Sequence, residues 1–290
     1  MNLYTTGCSH THGTEDTLGP NYREQNWAAR LFKMFAGRDE VAFRIPYSIK
    51  NSINITLVGD SIWFDNSVPG SNNANIVSRI VNDICGRQIR PDHAVIQFTH
   101  PTRFWTPLNS SYGDVQITIG DPYTFGTMHQ PNGKHATNKS EDDHRHGTNP
   151  LNSRTFHDKA FYDEYFKGPA AQRTATLHMF SEIKLVETLL KSLNIPHTFI
   201  IWPRVYSTCY TAVESAIDHS RILNYDDGIY YEMDKLMPTY GYKFPSYSLH
   251  YFPDGHQFIA ESVYNHILSG KKLVPNGTIE SSETFVDSVY

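Results

Sequence analysis

The sequence has few cysteines, and the three it has are far apart. Cys8, Cys85 and Cys209 form neither the even, closely spaced set of a disulfide framework nor the paired spacing of a zinc knuckle. We therefore expect a protein that folds in a reducing compartment without disulfide bonds.

Long apolar runs and a basic stripe are also missing. The N-terminus "MNLYTTGCSHTHG" has no basic region followed by an apolar one, and the longest apolar run, around "TFIIW", is too short to cross a bilayer. The 25 Lys and Arg are outnumbered by 30 Asp and Glu, giving a formal net charge of −5. They form no stripe that could follow a phosphate backbone. The sequence predicts a cytoplasmic protein with neither a nucleic-acid nor a membrane partner, and leaves its oligomeric state open.

Apolar residues are present in a pattern that alternates between strands and helices. With 290 residues, 39% of them hydrophobic, the chain can bury a sizeable core. Strands are predicted at 2–7, 53–58, 93–98 and 197–202, and helices at 23–37, 74–86, 173–193 and from 253 onward. This alternation predicts an α/β fold, a three-layer sandwich with about five mostly parallel strands.

In two stretches the apolar residues show neither the spacing of a helix nor that of a strand. The first, at about 106–168, is polar and rich in Gly and Pro, and the second covers about 205–252. Because long structureless loops in a compact domain are usually functional, we expect the first to decorate the active-site edge of one domain spanning 1–290.

Two serines follow predicted strands and compete as nucleophile. Ser61 belongs to Gly59-Asp60-Ser61-Ile62, a Gly-Asp-Ser motif, and Ser9 follows Gly7-Cys8 after the first strand. Ligands of α/β sheets bind at the carboxyl ends of strands, where a following helix helps to stabilise an oxyanion. Only Ser9 is followed by a loop and a long amphipathic helix, so Ser9 is the predicted nucleophile and Ser61 a bystander at a strand end.

A base and an acid for Ser9 occur together near the C-terminus. In "PDGH", residues 253–256, Asp254 could orient the His256 imidazole while its other nitrogen faces a serine. The alternative is an Asp that caps a helix beside an incidental His.

These blocks, in this order, resemble the SGNH hydrolases, also called the GDSL-like esterases, in a divergent subgroup found in bacteria and phages. The resemblance rests on "GCSHT" at 7–11, "NSVPGSNN" at 66–73, "AVIQFTHPTRF" at 94–104 and "PDGHQFIAE" at 253–261. It implies an esterase that needs no metal or cofactor and acts on small-molecule or glycan esters, commonly O-acetyl groups on sugars.

The resemblance also implies a role for each matching residue. Ser9 attacks the ester, His256 transfers the proton and Asp254 orients His256. The backbone amides of Ser9 and Gly70 form part of the oxyanion hole.

The sequence departs from the family pattern in two blocks. The third block has no Asn for the oxyanion hole, and Thr99 is the nearest positional equivalent, with His100 and Arg103 as candidates for substrate binding. In the last block one residue, rather than two, separates Asp254 from His256.

Two other classes of protein stay open. The missing third-block Asn favours a non-catalytic binding or structural protein that retains the fold. The His-rich loop 129–146 favours a metal-dependent enzyme, with candidate ligands His129, His135, Asp142, Asp143, His144 and His146. An acyltransferase using the same Ser-His-Asp triad is a variant of the first interpretation.

Overall fold

The computed structural model describes most of the chain in separate segments. They are residues 1–38, 53–68, 71–101, 104–110, 113–119, 127–129, 169–203, 211–243 and 250–277. The strands are β1 Asn2–Thr6, β2 Asn54–Val58, β3 Ser61–Asp65, β4 His93–Phe98, β5 Phe104–Ser110, β6 Gly113–Ile119, β7 Thr127–His129, β8 His197–Ile201, β9 Tyr225–Asp226 and β10 Ile229–Tyr230.

The helices differ greatly in length. They are α1 Ser9–His12, α2 Glu15–Leu18, α3 Tyr22–Gln25, α4 Trp27–Ala36, α5 Asn73–Val81, α6 Pro169–Ser192, α7 Thr211–Glu214, α8 Met233–Leu236 and α9 Pro253–Ser269. A π-helical turn, Asn82–Gly86, continues α5, and 3₁₀ turns cover His219–Arg221 and Met237–Tyr240. None of the helices in the described segments is both long and apolar enough to span a membrane.

Five strands form one sheet in the order β2-β3-β1-β4-β8. β1 pairs in parallel with β3 and β4, and β4 pairs in parallel with β8, while β2 runs antiparallel to β3 at the edge. The predicted α/β class with about five mostly parallel strands is therefore confirmed.

Helices cover both faces of this sheet. Successive strand residues point to opposite faces, and the neighbours Leu3 and Tyr4 accordingly belong to two different cores. Leu3 packs in the core that contains the apolar residues of α4 and α9, and Tyr4 in the one that contains those of α5 and α6. Every residue of β4 is buried, as expected of a central parallel strand.

Capping residues fix where the helices beside the sheet begin and end. The Asn26 side chain accepts the Ala29 N–H and starts α4, which ends at Gly37 in the left-handed conformation (φ 64°). Pro253 begins α9, a position where its missing N–H costs nothing. Gly37 and Pro253 agree with the helix ends that the sequence predicts, whereas the single helix predicted over 23–37 is divided at Asn26 into α3 and α4.

β3 was not predicted, and its presence changes the account of Ser61. Gly59 (φ 57°) and Asp60 form the turn of a hairpin, so that Ser61 is the first residue of β3 rather than a loop residue at the end of a strand. Its Oγ accepts a hydrogen bond from the Met1 ammonium at 2.9 Å. Because β1 and β3 are parallel, Ser61 lies at the amino end of the sheet, opposite the edge where Ser9 follows β1. Topology, and not a missing helix, separates Ser61 from that edge.

Part of the stretch at about 106–168, which shows no apolar periodicity as a whole, forms β-strands. β5, β6 and β7 form a three-stranded antiparallel sheet, contrary to the expectation of a loop-rich excursion throughout 106–168. The alternation of Val115, Ile117 and Ile119 is the signal that indicates β6. Residues 130–168, which contain most of the His-rich loop, lie outside the described segments, and His129 is the last residue of β7.

Buried histidines at the amino end of the sheet give a first prediction, a loss of stability in mild acid. His93 bonds the Thr198 hydroxyl at 3.0 Å, and burial, with nearby His197, Arg221 and His266, lowers its pKa from 6.5 to about 3. The unfolded chain therefore binds a proton that the folded chain does not, and the contribution of this group, complete above pH 6.5, is lost as the pH falls. At pH 5 we expect a loss of about 2 kcal/mol from His93 alone.

Urea unfolding at pH 7.5 and pH 5 measures this effect. His93→Asn should reduce the difference between the two unfolding free energies, because Asn cannot be protonated. His178→Asn, a change on the exposed face of α6, is the matched control and should keep the wild-type difference. An equal pH dependence in all three proteins would contradict the prediction.

Candidate active site

Ser9 begins a single helical turn directly after the central strand. β1 ends at Thr6, and the Cys8 carbonyl accepts the N–H groups of Thr11 and His12 at 3.1 and 3.0 Å. The Ser9 side chain is half-buried. Sequence analysis missed this turn, α1, because four residues are too few to show a helical period.

Gln97 holds the Ser9 turn from the neighbouring strand β4. Its buried Oε1 accepts the Thr11 hydroxyl at 2.8 Å and the Cys8 N–H at 3.3 Å. A Cβ on Gly7 would collide with the Thr11 hydroxyl and lie 2.7 Å from the Gln97 Oε1. Position 7 therefore requires glycine, since both neighbours are fixed by the same bonds.

The loop after β3 lies against this turn. The N–H groups of Asn66 and Val68 donate to the carbonyls of Thr5 and Gly7 at 2.9 and 3.1 Å. The Arg79 guanidinium, from α5, bonds the carbonyls of Gly7 and Asn66 at 3.3 and 3.0 Å. The first and second blocks of the sequence are thus joined by several hydrogen bonds.

Gly70, the predicted oxyanion donor of this loop, and Pro69 lie outside the described residues. The chain is described again from Ser71, whose N–H and hydroxyl both donate to the Val68 carbonyl at 3.3 and 2.8 Å. The described residues on either side of this gap, Val68 and Ser71, are therefore bonded to each other, and Val68 is bonded to Gly7 before the Ser9 turn. The role of Gly70 stays a prediction.

Thr99 lies at the carboxyl end of β4 and is held by Asn73. The Asn73 side chain donates to the Thr99 carbonyl at 3.0 Å and accepts the Thr99 N–H at 2.8 Å. Both backbone groups of Thr99 are thereby occupied, and no described residue hydrogen-bonds its hydroxyl. His100, the next residue, is half-buried, and Arg103 lies outside the described residues.

His256 lies in the first turn of α9 and is almost completely buried. Its Nδ1 accepts the backbone N–H of Trp27 at 3.1 Å, and its Nε2 is buried with no hydrogen-bond partner in the described segments. Burial, and secondarily the charges of His250 and Arg30, lowers its pKa to about 3. At neutral pH the ring is therefore neutral, and because an amide can only donate, its proton is on Nε2.

His256 is tied to the Ser9 turn through the start of α4. Asn26, directly before Trp27, donates from its side chain to the His12 carbonyl at 2.8 Å. The residue that holds the His256 ring is therefore adjacent in the chain to one that binds the last residue of α1.

Asp254 is not in contact with His256. Its carboxylate is exposed and accepts the N–H of Gly255 at 2.8 Å. In a helix, residues two apart point to different sides, and Asp254 and His256 both belong to α9. The described arrangement therefore does not join the predicted acid to the predicted base, and the orienting role of Asp254 stays a prediction.

An aromatic wall beside Ser9 was missed by sequence analysis. The His10 ring stacks on Trp202 with 3.9 Å between centroids, and the His250 ring lies 5.0 Å from His10. Trp202 directly follows β8, and its Nε1 donates to Asp234 at 2.9 Å. The position of Trp202 as the last residue of a predicted buried strand was the available signal, because parallel strands end at the same edge.

No group of side chains in the described segments has the composition and spacing of a metal site. His135, His144, His146, Asp142 and Asp143 fall outside these segments, so the metal-site alternative stays a prediction.

Comparison with known proteins gives distant structural likenesses. No protein-family model and no curated protein matches the sequence. The chain is similar to a protein described as lipolytic and of the G-D-S-L family, from Desulfitobacterium hafniense DCB-2, with 12% identity over 91% of this chain and 98% of that one and a TM-score of 0.38. It is also similar to the psychrotrophic esterase EstA from Pseudoalteromonas sp., in a structure inhibited by monoethylphosphonate, with 12% identity over 92% of this chain and 96% of that one and a TM-score of 0.45. At such distances the function has to be inferred from the geometry of the chain's own site.

Proposed function

We propose that this chain is a serine hydrolase of the SGNH type that cleaves an acyl ester, with Ser9 as nucleophile and His256 as base. One observation carries the proposal. A buried, neutral imidazole, whose Nε2 bonds no described residue, is linked to the turn that begins with Ser9 through Trp27 and the neighbouring Asn26. Buried polar atoms without partners are uncommon and are often found where a reaction supplies the missing partner.

The reaction is acyl transfer to Ser9 and then to water. The Ser9 Oγ bonds to the ester carbonyl carbon while His256 takes the hydroxyl proton, and collapse of the tetrahedral intermediate expels the alcohol, which receives that proton. Water then cleaves the acyl-enzyme by the same path. The amides of Ser9 and Gly70 and the Thr99 hydroxyl donate to the oxyanion, and the chemistry uses no metal or cofactor.

The base must change its tautomer before it can act. Acceptance of the Ser9 proton needs a free lone pair on Nε2, whereas the Trp27 amide keeps the resting proton there. The active ring therefore carries its proton on Nδ1 and has left the Trp27 amide. Asp254 is the proposed acceptor of that Nδ1 proton, which requires the first turn of α9 to rearrange.

We further propose that the acyl group is small and that it is carried by a carbohydrate. The support for a carbohydrate is the resemblance to SGNH esterases, which implies O-acetyl groups on sugars as a common substrate; Trp202 itself is completely buried beneath the His10 ring. Hydrolysis of acetylated xylan or acetylated hexosamine oligomers, compared with long-chain p-nitrophenyl esters, would separate this preference from a general lipase.

Labelling with a fluorophosphonate tests the proposal directly, because this probe reacts only with an activated serine. We expect one label per chain, which peptide mapping assigns to Ser9, and no change when a chelator is added. Absence of any labelled serine would favour a non-catalytic binding protein. Esterase activity that a chelator abolishes would favour the metal-dependent alternative.

A further inference from the structure

Asn72 contains a buried side-chain donor with no partner. The residue is the N-cap of α5, and its Oδ1 accepts the N–H of Asn75 at 2.8 Å. It is completely buried, and its Nδ2 makes no hydrogen bond with any residue that the structure describes. An amide nitrogen withdrawn from water in this way destabilises the fold unless a ligand binds it.

The cap also fixes which way this amide points. The oxygen and nitrogen of an Asn side chain are told apart by their partners, and the Asn75 N–H requires an acceptor. The oxygen therefore faces the helix, and the NH₂ group faces away from it. The helix cap therefore holds the donor in one direction, and because the atom is buried, a substrate oxygen reaches it only when the residues covering it move aside.

Asn72 lies between Ser71 and Asn73, which are hydrogen-bonded toward the ends of β1 and β4 respectively. On one side, Ser71 bonds the Val68 carbonyl, and Val68 in turn bonds the Gly7 carbonyl. On the other side, Asn73 holds both backbone groups of Thr99. The unpartnered nitrogen thus belongs to the short stretch that joins the Ser9 turn to the end of β4.

The two adjacent asparagines have different tasks. Asn73 has its amide oxygen and nitrogen both engaged with Thr99, so it has a structural role. Asn72 has only its oxygen engaged. An oxyanion hole without a third-block Asn needs a side-chain amide from elsewhere, and Asn72 has one available.

We propose that the Nδ2 of Asn72 donates to the oxyanion during attack by Ser9, in place of the Asn that the third block lacks. The inference rests on the proposed function. As the bond from the Ser9 Oγ to the carbonyl carbon forms, the carbonyl π electrons move to oxygen, and Asn72 donates to that charge. When the intermediate collapses, those electrons return and the alcohol leaves with the proton from His256, so Asn72 is unchanged.

Asn72→Asp is the most informative variant, because it keeps the size and the capping oxygen and replaces the NH₂ group by oxygen. With p-nitrophenyl acetate we expect kcat to fall by about 10² to 10³-fold, with KM within about threefold of wild type, since the donor acts on the transition state. Asn72→Ser also caps a helix but adds no charge, and should show the same loss. Thermal melts establish that both variants are folded.

Asn75→Asp is the matched control. It makes the same chemical change three residues along, at a side chain that is half-buried. We expect its kcat to stay within about threefold of wild type, which would show that a new negative charge near the start of α5 does not itself slow the reaction.

The outcomes separate this inference from the proposed function. If wild type hydrolyses the ester and Ser9→Ala does not, while folded Asn72→Asp and Asn72→Ser keep their kcat, then Asn72 is only a helix cap. If wild type neither hydrolyses the ester nor reacts with the fluorophosphonate, the proposed function itself is wrong. A loss of kcat in Asn75→Asp equal to that in Asn72→Asp would also overturn the inference.

Discussion

Ser9→Ala is expected to lower kcat/KM for p-nitrophenyl acetate by a factor on the order of 10⁴ or more. The variant removes the atom that bonds to the acyl carbon, and what survives is the binding and oxyanion stabilisation that water can use. The fold should be unaffected, because the half-buried Ser9 hydroxyl makes no hydrogen bond with a described residue. Steady-state kinetics and a thermal melt of the same preparation measure both quantities.

Ser61→Ala is the matched control for this prediction. Ser61 is in the Gly-Asp-Ser motif, but it lies at the end of the sheet opposite to Ser9. Its hydroxyl accepts a hydrogen bond there from the Met1 ammonium. We expect full activity and a slightly lower melting temperature, since one partly buried hydrogen bond is lost. A loss of activity in Ser61→Ala, with activity retained in Ser9→Ala, would exchange the roles of the two serines.

The misleading motif shows which part of this fold can be predicted from local sequence. A glycine with positive φ followed by Asp and Ser fits a nucleophile turn, and it fits the two-residue turn of the β2-β3 hairpin equally well. A nucleophile turn and a hairpin turn differ in the direction of the strand or helix that follows. Here that direction depends on pairing with β1, which lies more than 50 residues earlier in the chain. Strands β1, β4 and β8 were predictable because a strand that is buried on both faces is rich in apolar residues, and this shows in its own sequence.

The site divides in the same way. The positions of Ser9, Thr99 and His256 in the fold were predictable, because each lies at the end of a strand or the start of a helix that has a clear apolar pattern, while their roles stay predictions. The bond from Trp27 to His256 joins residues 229 apart, and no period in the sequence reports it. The unpartnered nitrogen of Asn72 was equally hidden, because only a complete account of its neighbours shows that none accepts from it.

His256→Asn is expected to lower kcat by about 10³-fold or more while the protein stays folded. The Asn oxygen takes the place of Nδ1 as acceptor for the Trp27 amide, so the contact that positions α9 against α4 is kept. The nitrogen that would accept the Ser9 proton is removed. Near-wild-type activity in the folded variant would show that another group is the base.

The same imidazole predicts an unusual dependence of the rate on pH. A base must be unprotonated, and because burial lowers the pKa of His256 from 6.5 to about 3, its neutral form persists at pH values where an exposed histidine is charged. We expect kcat/KM to be nearly constant from pH 5 to pH 8, and a fall centred near pH 6.5 would show that the ring is solvated in the free enzyme.

The variant Asp254→Asn tests whether Asp254 orients the His256 ring. Since the carboxylate is exposed, hydrogen-bonds the neighbouring Gly255 amide and attracts the Arg30 guanidinium, the change should lower the melting temperature only slightly. We expect kcat to fall by about 100-fold or more, because the active tautomer needs a charged acceptor for the Nδ1 proton, which an Asn cannot supply. Activity equal to wild type would leave Asp254 as a helix-start carboxylate alone. The tautomer change at His256 would then have to proceed without it.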